Sequence, residues 1–316
     1  MDLEFFENET NIIVNSDLDG ILSGLILSNY LELKIAGFSN SLDKIWLNPN
    51  IQDNIFAGTY VDLYISDSRV KCVDQHVIGA NREHNSRISE YGTKLNPNII
   101  KSRTHMPKNS YTTKYPFGTV HFIIAFLERN KISIDIDLNK EIEGITLKDL
   151  LLRADDTMKT TRSSPYESNA RDWWKWLYKY SNKGKMITEL AQYLYAISPF
   201  EAEKITANTS NFLVNNRIFQ CDRPDGGFKD ICNTNSLTLN FQNFIEFLSN
   251  LLNMDLPKGI SAKYSVYSGS NYRVNLDDAD SELFVSDNLI NEKEVFSYAY
   301  VRSKNRDNCL SYTVLD

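Results

Sequence analysis

The chain has 316 residues, of which 42% are hydrophobic and 12% are aromatic, and its formal net charge is −7. This composition excludes a disordered chain and leaves room for two domains with separate cores. The acidic balance argues against a protein that holds long duplexes through many phosphate contacts, whereas a short or single-stranded substrate gripped locally remains compatible with it.

The sequence carries no sign of secretion, membrane insertion or a zinc site. Its first residues, MDLEFFENET, lack the basic region of a signal peptide, and no apolar run reaches the roughly 18 residues of a membrane span. The four cysteines show no C-x-x-C spacing, which is typical of reduced thiols: Cys72, Cys221, Cys232 and Cys309. We therefore expect a cytoplasmic protein without membrane contact.

The segment 11–27 predicts a strand, a loop and a helix. An apolar β-branched run at 11–14 is broken at 16–20, and a helix-spaced apolar pattern follows. Asp17 and Asp19 lie in the loop, at the carboxyl end of the strand, where open α/β sheets usually bind ligands. Two such close carboxylates repel each other unless a cation or a proton joins them, and the functional interpretation is a divalent-metal site. The alternative is a purely structural helix cap with an Asp-Gly turn.

Three further polar clusters come after predicted strands or helices. The run at 60–65 predicts a strand that ends before Asp67, and the run at 70–73 leads directly into the triplet 74–76. The helical stretch at 147–154 ends in a pair of aspartates. The candidate site residues in these clusters are Asp67, Asp74, Gln75, His76, Asp155 and Asp156.

Residues 77–115 are predicted to form a long polar connection. Its basic side chains could meet phosphates if the loop closes over a site, although a solvated loop has the same composition. They are Lys101, Arg103, His105, Lys108 and Lys114, of which Arg103 and His105 are our substrate-binding candidates. The apolar stretch after Gly118 predicts a buried helix in which His121 is a core residue.

The second half of the chain changes in pattern. It is helical from about 187 to 216 with a break at Pro199, and strand-like runs follow from 260, including one at 283–285. The expected fold class is α/β, with a largely parallel sheet flanked by helices in residues 1–198. A smaller α+β domain that binds substrate or a partner is expected in residues 199–316.

In order and spacing, these motifs resemble the DHH phosphoesterase superfamily. The resemblance rests on SDLDG at 16–20, Asp67, DQH at 74–76 and ADDT at 154–157, and covers roughly residues 1–160. KLNPN at 94–98 and YPFG at 115–118 are similar to the branch related to the exonuclease RecJ and the small oligonucleotide phosphodiesterases.

The resemblance implies two Mn²⁺ or Mg²⁺ ions that activate water against a phosphodiester or phosphoanhydride. By position, Asp17 would bind one ion, Asp19 the other, Asp67 both, and Asp156 would complete the second site. Thr157 favours Asp156 over Asp155 on the resemblance alone. Asp74 would orient its neighbours, and His76 would hold the scissile phosphate.

Two positions and one missing signature depart from the family pattern. Asn15 stands where the family has His or Asp, and Gln75 where it has His; a neutral amide binds a hard cation more weakly than a carboxylate. We expect weakened sites, a preference for Mg²⁺, or a single ion. The family's Gly-Gly-Gly-His signature is missing, and the segment 267–273 resembles one strand of that domain faintly, with Arg273 as a phosphate contact.

Three functions stay open at this point. The first is hydrolysis of short oligonucleotides, dinucleotides, single-stranded ends or another small phosphodiester. The second is a haloacid dehalogenase-type phosphatase with Asp17 as nucleophile and Asp19 as acid and base, which leaves the triplet 74–76 without a role. The third is a degenerate module that binds a nucleotide or a protein partner without hydrolysis.

Overall fold

One nine-stranded sheet runs through the computed structural model, which describes residues 3–105, 113–162, 166–276, 294–303 and 306–316. The strands of this part of the chain are β1 (Asn11–Asn15), β2 (Lys34–Ser39), β3 (Lys44–Leu47), β4 (Thr59–Val61), β5 (Lys71–Val73), β6 (Lys94–Leu95), β7 (Glu141–Ile142), β8 (Ile145–Thr146), β9 (Cys232–Asn233), β10 (Ser236–Leu237), β11 (Ser265–Asn275), β12 (Ser297–Ser303) and β13 (Arg306–Leu315). Its helices are α1 (Leu18–Leu31), α2 (Arg82–Glu90), α3 (Pro97–Ile100), α4 (Thr119–Arg129), α5 (Leu147–Arg153), α6 (Thr157–Arg162), α7 (Glu167–Tyr180), α8 (Lys185–Ala196), α9 (Pro199–Asn215) and α10 (Leu239–Leu252).

The large sheet is parallel in one half and antiparallel in the other. Its strand order is β12-β13-β11-β3-β2-β1-β4-β5-β6, and the pairs among β2, β1, β4, β5 and β6 are parallel. The pairs from β2 through β3, β11 and β13 to β12 are antiparallel. The α/β class predicted from the sequence is therefore confirmed.

Alternate residues of β1 enter different cores, as a strand with both faces covered requires. Ile12 and Val14 pack into the large core that contains the buried residues of α1, α4, α5, α7, α8 and α10. Ile13 belongs to a smaller core on the opposite face, together with Tyr60 and Phe296. The helical layer thus lies mainly against one face of the sheet.

The smaller C-terminal domain expected in residues 199–316 is not confirmed as a separate unit. β11 pairs with β3, so the C-terminal strands extend the N-terminal sheet. Isolated bridges then join Ile65 to Ser297 and Val77 to Tyr300, which bends the antiparallel end back towards the segments after β4 and β5. The strand predicted at 283–285 lies outside the described residues.

Two local predictions in the N-terminal half need correction. The strand expected at 60–65 ends at Val61, because Asp62 takes a left-handed backbone with φ of 61°. The connection expected at 77–115 contains α2, β6 and α3, since Asn81 and Asn96 each cap a helix through the side-chain oxygen. The break predicted at Pro199 is confirmed, with Ser198 and Glu201 forming a capping box at the start of α9.

Candidate metal centre

The predicted polar clusters meet at the carboxyl ends of three parallel strands, β1, β4 and β5. The chain leaves β1 towards β2 on one side, whereas β4 lies on the other side of β1. Such a switch in strand order opens a crevice at the strand ends, the usual ligand site of an open α/β sheet. The side chains placed there are Asn15, Asp17, Asp19, Asp62, Asp74, Gln75, His76 and Asp155.

Asn15 links the acids that follow β1 and β4. Its Nδ2 donates to Asp17 Oδ2 at 2.8 Å and to Asp62 Oδ2 at 3.0 Å. Its Oδ1 is buried and accepts no hydrogen bond from the described residues. Asp17 Oδ1 accepts from the backbone N–H of Gly20, so the helix cap considered from the sequence is present as well. A cap and a metal ligand are compatible, because a carboxylate offers about four lone-pair sites.

Asp19 lies buried against the N-terminus of α4. Its Oδ2 accepts from Thr119 N at 2.7 Å and its Oδ1 from Val120 N at 2.9 Å. These first amides of a helix lack partners within the helix and favour an anion. Gly118 allows the approach, since a Cβ there would lie 2.8 Å from Asp19 Oδ1.

This contact predicts the effect of Gly118→Ala. The φ of −64° suits alanine, so backbone strain is not the issue. The added methyl group would push against a carboxylate that two amides hold, and we expect the free energy of unfolding to fall by about 1–3 kcal/mol. Urea unfolding of metal-free protein measures this loss, and an unchanged midpoint would show that Asp19 is free to move.

Asp62, and not Asp67, joins the cluster from the chain segment after β4. Asp62 is buried and accepts from Thr119 Oγ1 at 2.7 Å as well as from Asn15. The carboxylate of the predicted ligand Asp67 instead accepts hydrogen bonds from the guanidinium and the backbone N–H of exposed Arg69, and buried Lys94 donates to the Asp67 backbone carbonyl. The structure places Asp67 outside the cluster because the strand ends four residues earlier than expected. An acid inside an otherwise apolar run was the available signal for Asp62.

The Asp74-Gln75-His76 segment is held by the Asn-Pro-Asn segment at 96–98. Asp74 Oδ1 lies 2.7 Å from His76 Nδ1, which leaves His76 Nε2 directed away from Asp74. Asn96 Nδ2 donates to the carbonyl of His76 and Asn98 Nδ2 to the carbonyl of Gln75. These bonds fix the orientation of the imidazole, as outer partners do at many metal and phosphate sites.

Asp155, and not Asp156, faces the cluster. Gln75 Nε2 donates to Asp155 Oδ2, whereas Asp156 is bound by Arg153 and its side chain is 52% exposed. Both aspartates have left-handed backbones, and this turn after α5 directs the first carboxylate inward. Thr157 locks the turn by donating to Ala154 O and accepting from Gly118 N. The structure therefore brings Asp155 to the cluster, whereas the resemblance favours Asp156.

The crowded carboxylates resist ionisation. Burial, with smaller effects from neighbouring charges, raises the pKa of Asp17 to about 6. Burial and the negative charges of the other acids raise the pKa values of Asp19 and Asp62 well above the ordinary value. Loss of solvation also raises the pKa of Asp155, although the charges of His76 and Lys114 lower it. The Asp155 side chain still reaches solvent. Burial alone would lower the pKa of His76, but Asp74 outweighs it and the net shift is upward.

The donor set fits a divalent cation. Ligand atoms of Asp62, Asp74 and His76 lie within 4.8 Å of one another. For Asp19 and Asp62, the neighbouring charges that act most strongly are all negative. Carboxylate oxygens with an imidazole suit Mn²⁺ or Mg²⁺, and the Asn15 amide, whose Oδ1 accepts no hydrogen bond from the described residues, could offer a neutral oxygen if it turned towards the acids.

The structure does not bring the three predicted substrate-binding residues to the cluster. His105 is buried and stacks on Tyr300 with ring centroids 4.5 Å apart. Arg103 is half-buried beside α3, and Arg273 is exposed on β11 opposite Ser311. Lys108 lies outside the described residues. From the same basic segment, Lys114 is the cation whose charge acts on His76 and Asp155.

Comparisons of the chain with models of protein families, with curated proteins and with solved structures returned no significant match.

Among the helices of the described residues, none combines the length and apolarity that crossing a membrane requires. All four cysteines are free thiols, as the sequence predicted.

Proposed function

We propose that this protein is a metal-dependent phosphodiesterase of the DHH type that hydrolyses short oligonucleotides, dinucleotides or another small phosphodiester. The observation that carries the proposal is the buried group of acids at the ends of β1, β4 and β5, where Asp19 and Asp62 face mainly negative neighbours. Such a group is unfavourable in its ionised form unless cations compensate it. The order of motifs along the chain supports the family assignment.

Each side chain has a distinct role in this proposal. Asp62 faces both Asp17 and Asp74, so it is the candidate to bind two ions in place of Asp67. Asp74 holds His76, whose Nε2 is directed away from Asp74, lies 3.4 Å from Gln75 Nε2 and would bind a phosphate oxygen. Asp19 and Asp155 supply the remaining carboxylates of the site. Two bound divalent ions would supply an activated water and neutralise charge on the attacked phosphate.

One observation favours a second candidate, a binding module without hydrolysis. The Asn15 amide lies between Asp17 and Asp62 and donates to both, which partly compensates the acids without a metal. Gln75 does the same for Asp155. A protein that has replaced ionic ligands by amides could retain a nucleotide-binding cleft and lose turnover.

Calorimetric titration of metal-stripped protein with Mn²⁺ and Mg²⁺, followed by single-turnover assays on dinucleotides and short oligonucleotides, separates the two candidates. We expect cation binding and cation-dependent release of mononucleotides. Saturable nucleotide binding with no product in either metal would establish the binding module. Folded protein that binds neither cation, even with phosphate present, would contradict the metal-dependent mechanism.

A further inference from the structure

A loop from the second half of the chain forms one wall of the proposed metal centre. This loop, residues 221–229, is called the Arg223 loop here. Phe228 N donates to Ser16 O at 3.0 Å, and Ser16 Oγ donates to Phe228 O at 3.1 Å. Gly226 has a φ of +83°, and a Cβ there would lie 2.8 Å from Leu18 Cβ. The loop is therefore fastened to the segment that carries Asp17.

The loop is also rigid within itself. The backbone amides of Asp222 and Arg223 both donate to Gly227 O, and Gly226 N donates to Arg223 O. The guanidinium of Arg223 lies directly against Gly227, where a Cβ would displace it. Arg153 ties the loop to the turn after α5 by donating to Pro224 O at 2.8 Å and to Asp156 at 3.0 Å.

This framework holds one guanidinium beside the acids. Arg223 Nη2 lies 3.9 Å from Asp17 Oδ2, which is too long for a hydrogen bond, and Arg223 Nε lies 3.4 Å from Asp225 Oδ1. The side chain is 30% exposed, so it borders both the cleft and solvent. A guanidinium offers five donors in a planar fork, and two acids at these distances do not use them all.

We propose that Arg223 binds a non-bridging phosphate oxygen of the substrate, with Asp225 orienting the guanidinium. The inference rests on the proposed function, because the phosphate is held next to the cations. Fork-shaped donors match a phosphate, and a fixed cation beside Asp17 contacts the anion without displacing a metal ligand. The proposed contact with Arg223 places the substrate's phosphate on the β1 side of the cleft, between the Arg223 loop and His76.

The test measures the affinity of inorganic phosphate for Mn²⁺-loaded protein by calorimetry, together with Mn²⁺ affinity without phosphate. Arg223→Gln should weaken phosphate binding about tenfold or more, and Arg223→Lys should weaken it less, because lysine keeps the charge and loses the fork. Arg69→Gln is the matched control, since Arg69 is bound to Asp67 outside the centre, and it should leave phosphate affinity unchanged. Thermal unfolding of each variant verifies that it is folded.

The outcomes separate this inference from the proposed function. If Arg223→Gln leaves phosphate affinity unchanged and strengthens Mn²⁺ binding, Arg223 only neutralises Asp17, and the inference is wrong while the metal centre stands. If phosphate binding depends on Arg223 but Mn²⁺ is not bound, the inference stands and the hydrolase proposal fails. If the wild type binds neither, both are overturned.

Discussion

Asp62→Asn should abolish most cation binding and turnover, whereas Asp67→Asn should leave both near the wild-type level. Asp62 is buried between the acids after β1 and those after β5, with ligand atoms of Asp74 and His76 nearby. Losing a residue that only orients a metal ligand already costs about 10- to 100-fold in affinity or activity, so removing a shared ligand should cost at least that. Calorimetry with Mn²⁺ and a dinucleotide hydrolysis assay measure the two effects.

The two variants are matched, because each replaces one aspartate near β4 by its neutral isostere. Asp67 is the control, since its carboxylate is paired with exposed Arg69. Without metal, Asp62→Asn should unfold at no lower temperature than the wild type, because it removes an acid whose ionisation is unfavourable in this crowded group. If Asp67→Asn abolishes cation binding and Asp62→Asn does not, Asp67 is the ligand, as the resemblance implies, and Asp62 has no role in cation binding.

The metal-free protein should lose stability relative to Asp17→Asn as the pH rises from 4 to 7. Asp17 has a pKa of about 6 in the folded protein against 3.8 as its ordinary value, so the folded state holds this proton more tightly. A raised pKa stabilises the fold below the ordinary value, and this contribution is lost as the pH rises through the folded-state value. The difference corresponds to about 3 kcal/mol at pH 7. Asparagine caps a helix as well as aspartate does but loses the acceptor for Asn15 Nδ2, a loss that does not depend on pH, so the pH dependence reports the charge.

Comparing the variant with the wild type at each pH is necessary because other groups titrate in the same range. Burial lowers the pKa of His121 to about 4, and a lowered histidine pKa makes the fold more stable as the pH rises, the opposite sign. That contribution is present in both proteins and cancels in the difference. Urea unfolding at several pH values measures the stability difference between the variant and the wild type. A difference that is independent of pH would contradict a strained Asp17 carboxylate.

Saturating Mn²⁺ should reverse the order of the two proteins at pH 7. A cation that binds the folded state stabilises it by mass action, and the wild type has the carboxylate that the variant lacks. The wild type should then be the more stable protein. If Mn²⁺ leaves the wild type less stable than Asp17→Asn, Asp17 is a helix cap without a role in metal binding.

The sequence by itself determined the local framework of the site. The strand, loop and helix from Asn11 to Leu31 follow from a β-branched run, an N-cap aspartate and helix-spaced apolar residues, all of which act between near neighbours. The polar segment after β5, Asp74 to His76, was likewise visible at the end of an apolar run. So was the buried helix that places Thr119 beside Asp19.

Only the tertiary structure decided which acids and which cation meet. Asp62 and Asp155 enter the cluster through left-handed backbones, whereas the resemblance to the DHH superfamily favoured Asp67 and Asp156. Arg223 reaches Asp17 because Phe228 is hydrogen-bonded to Ser16 across 212 positions of sequence. Such contacts depend on packing between distant segments, and neither apolar periodicity nor capping signals encode them, because those patterns report only on neighbours along the chain.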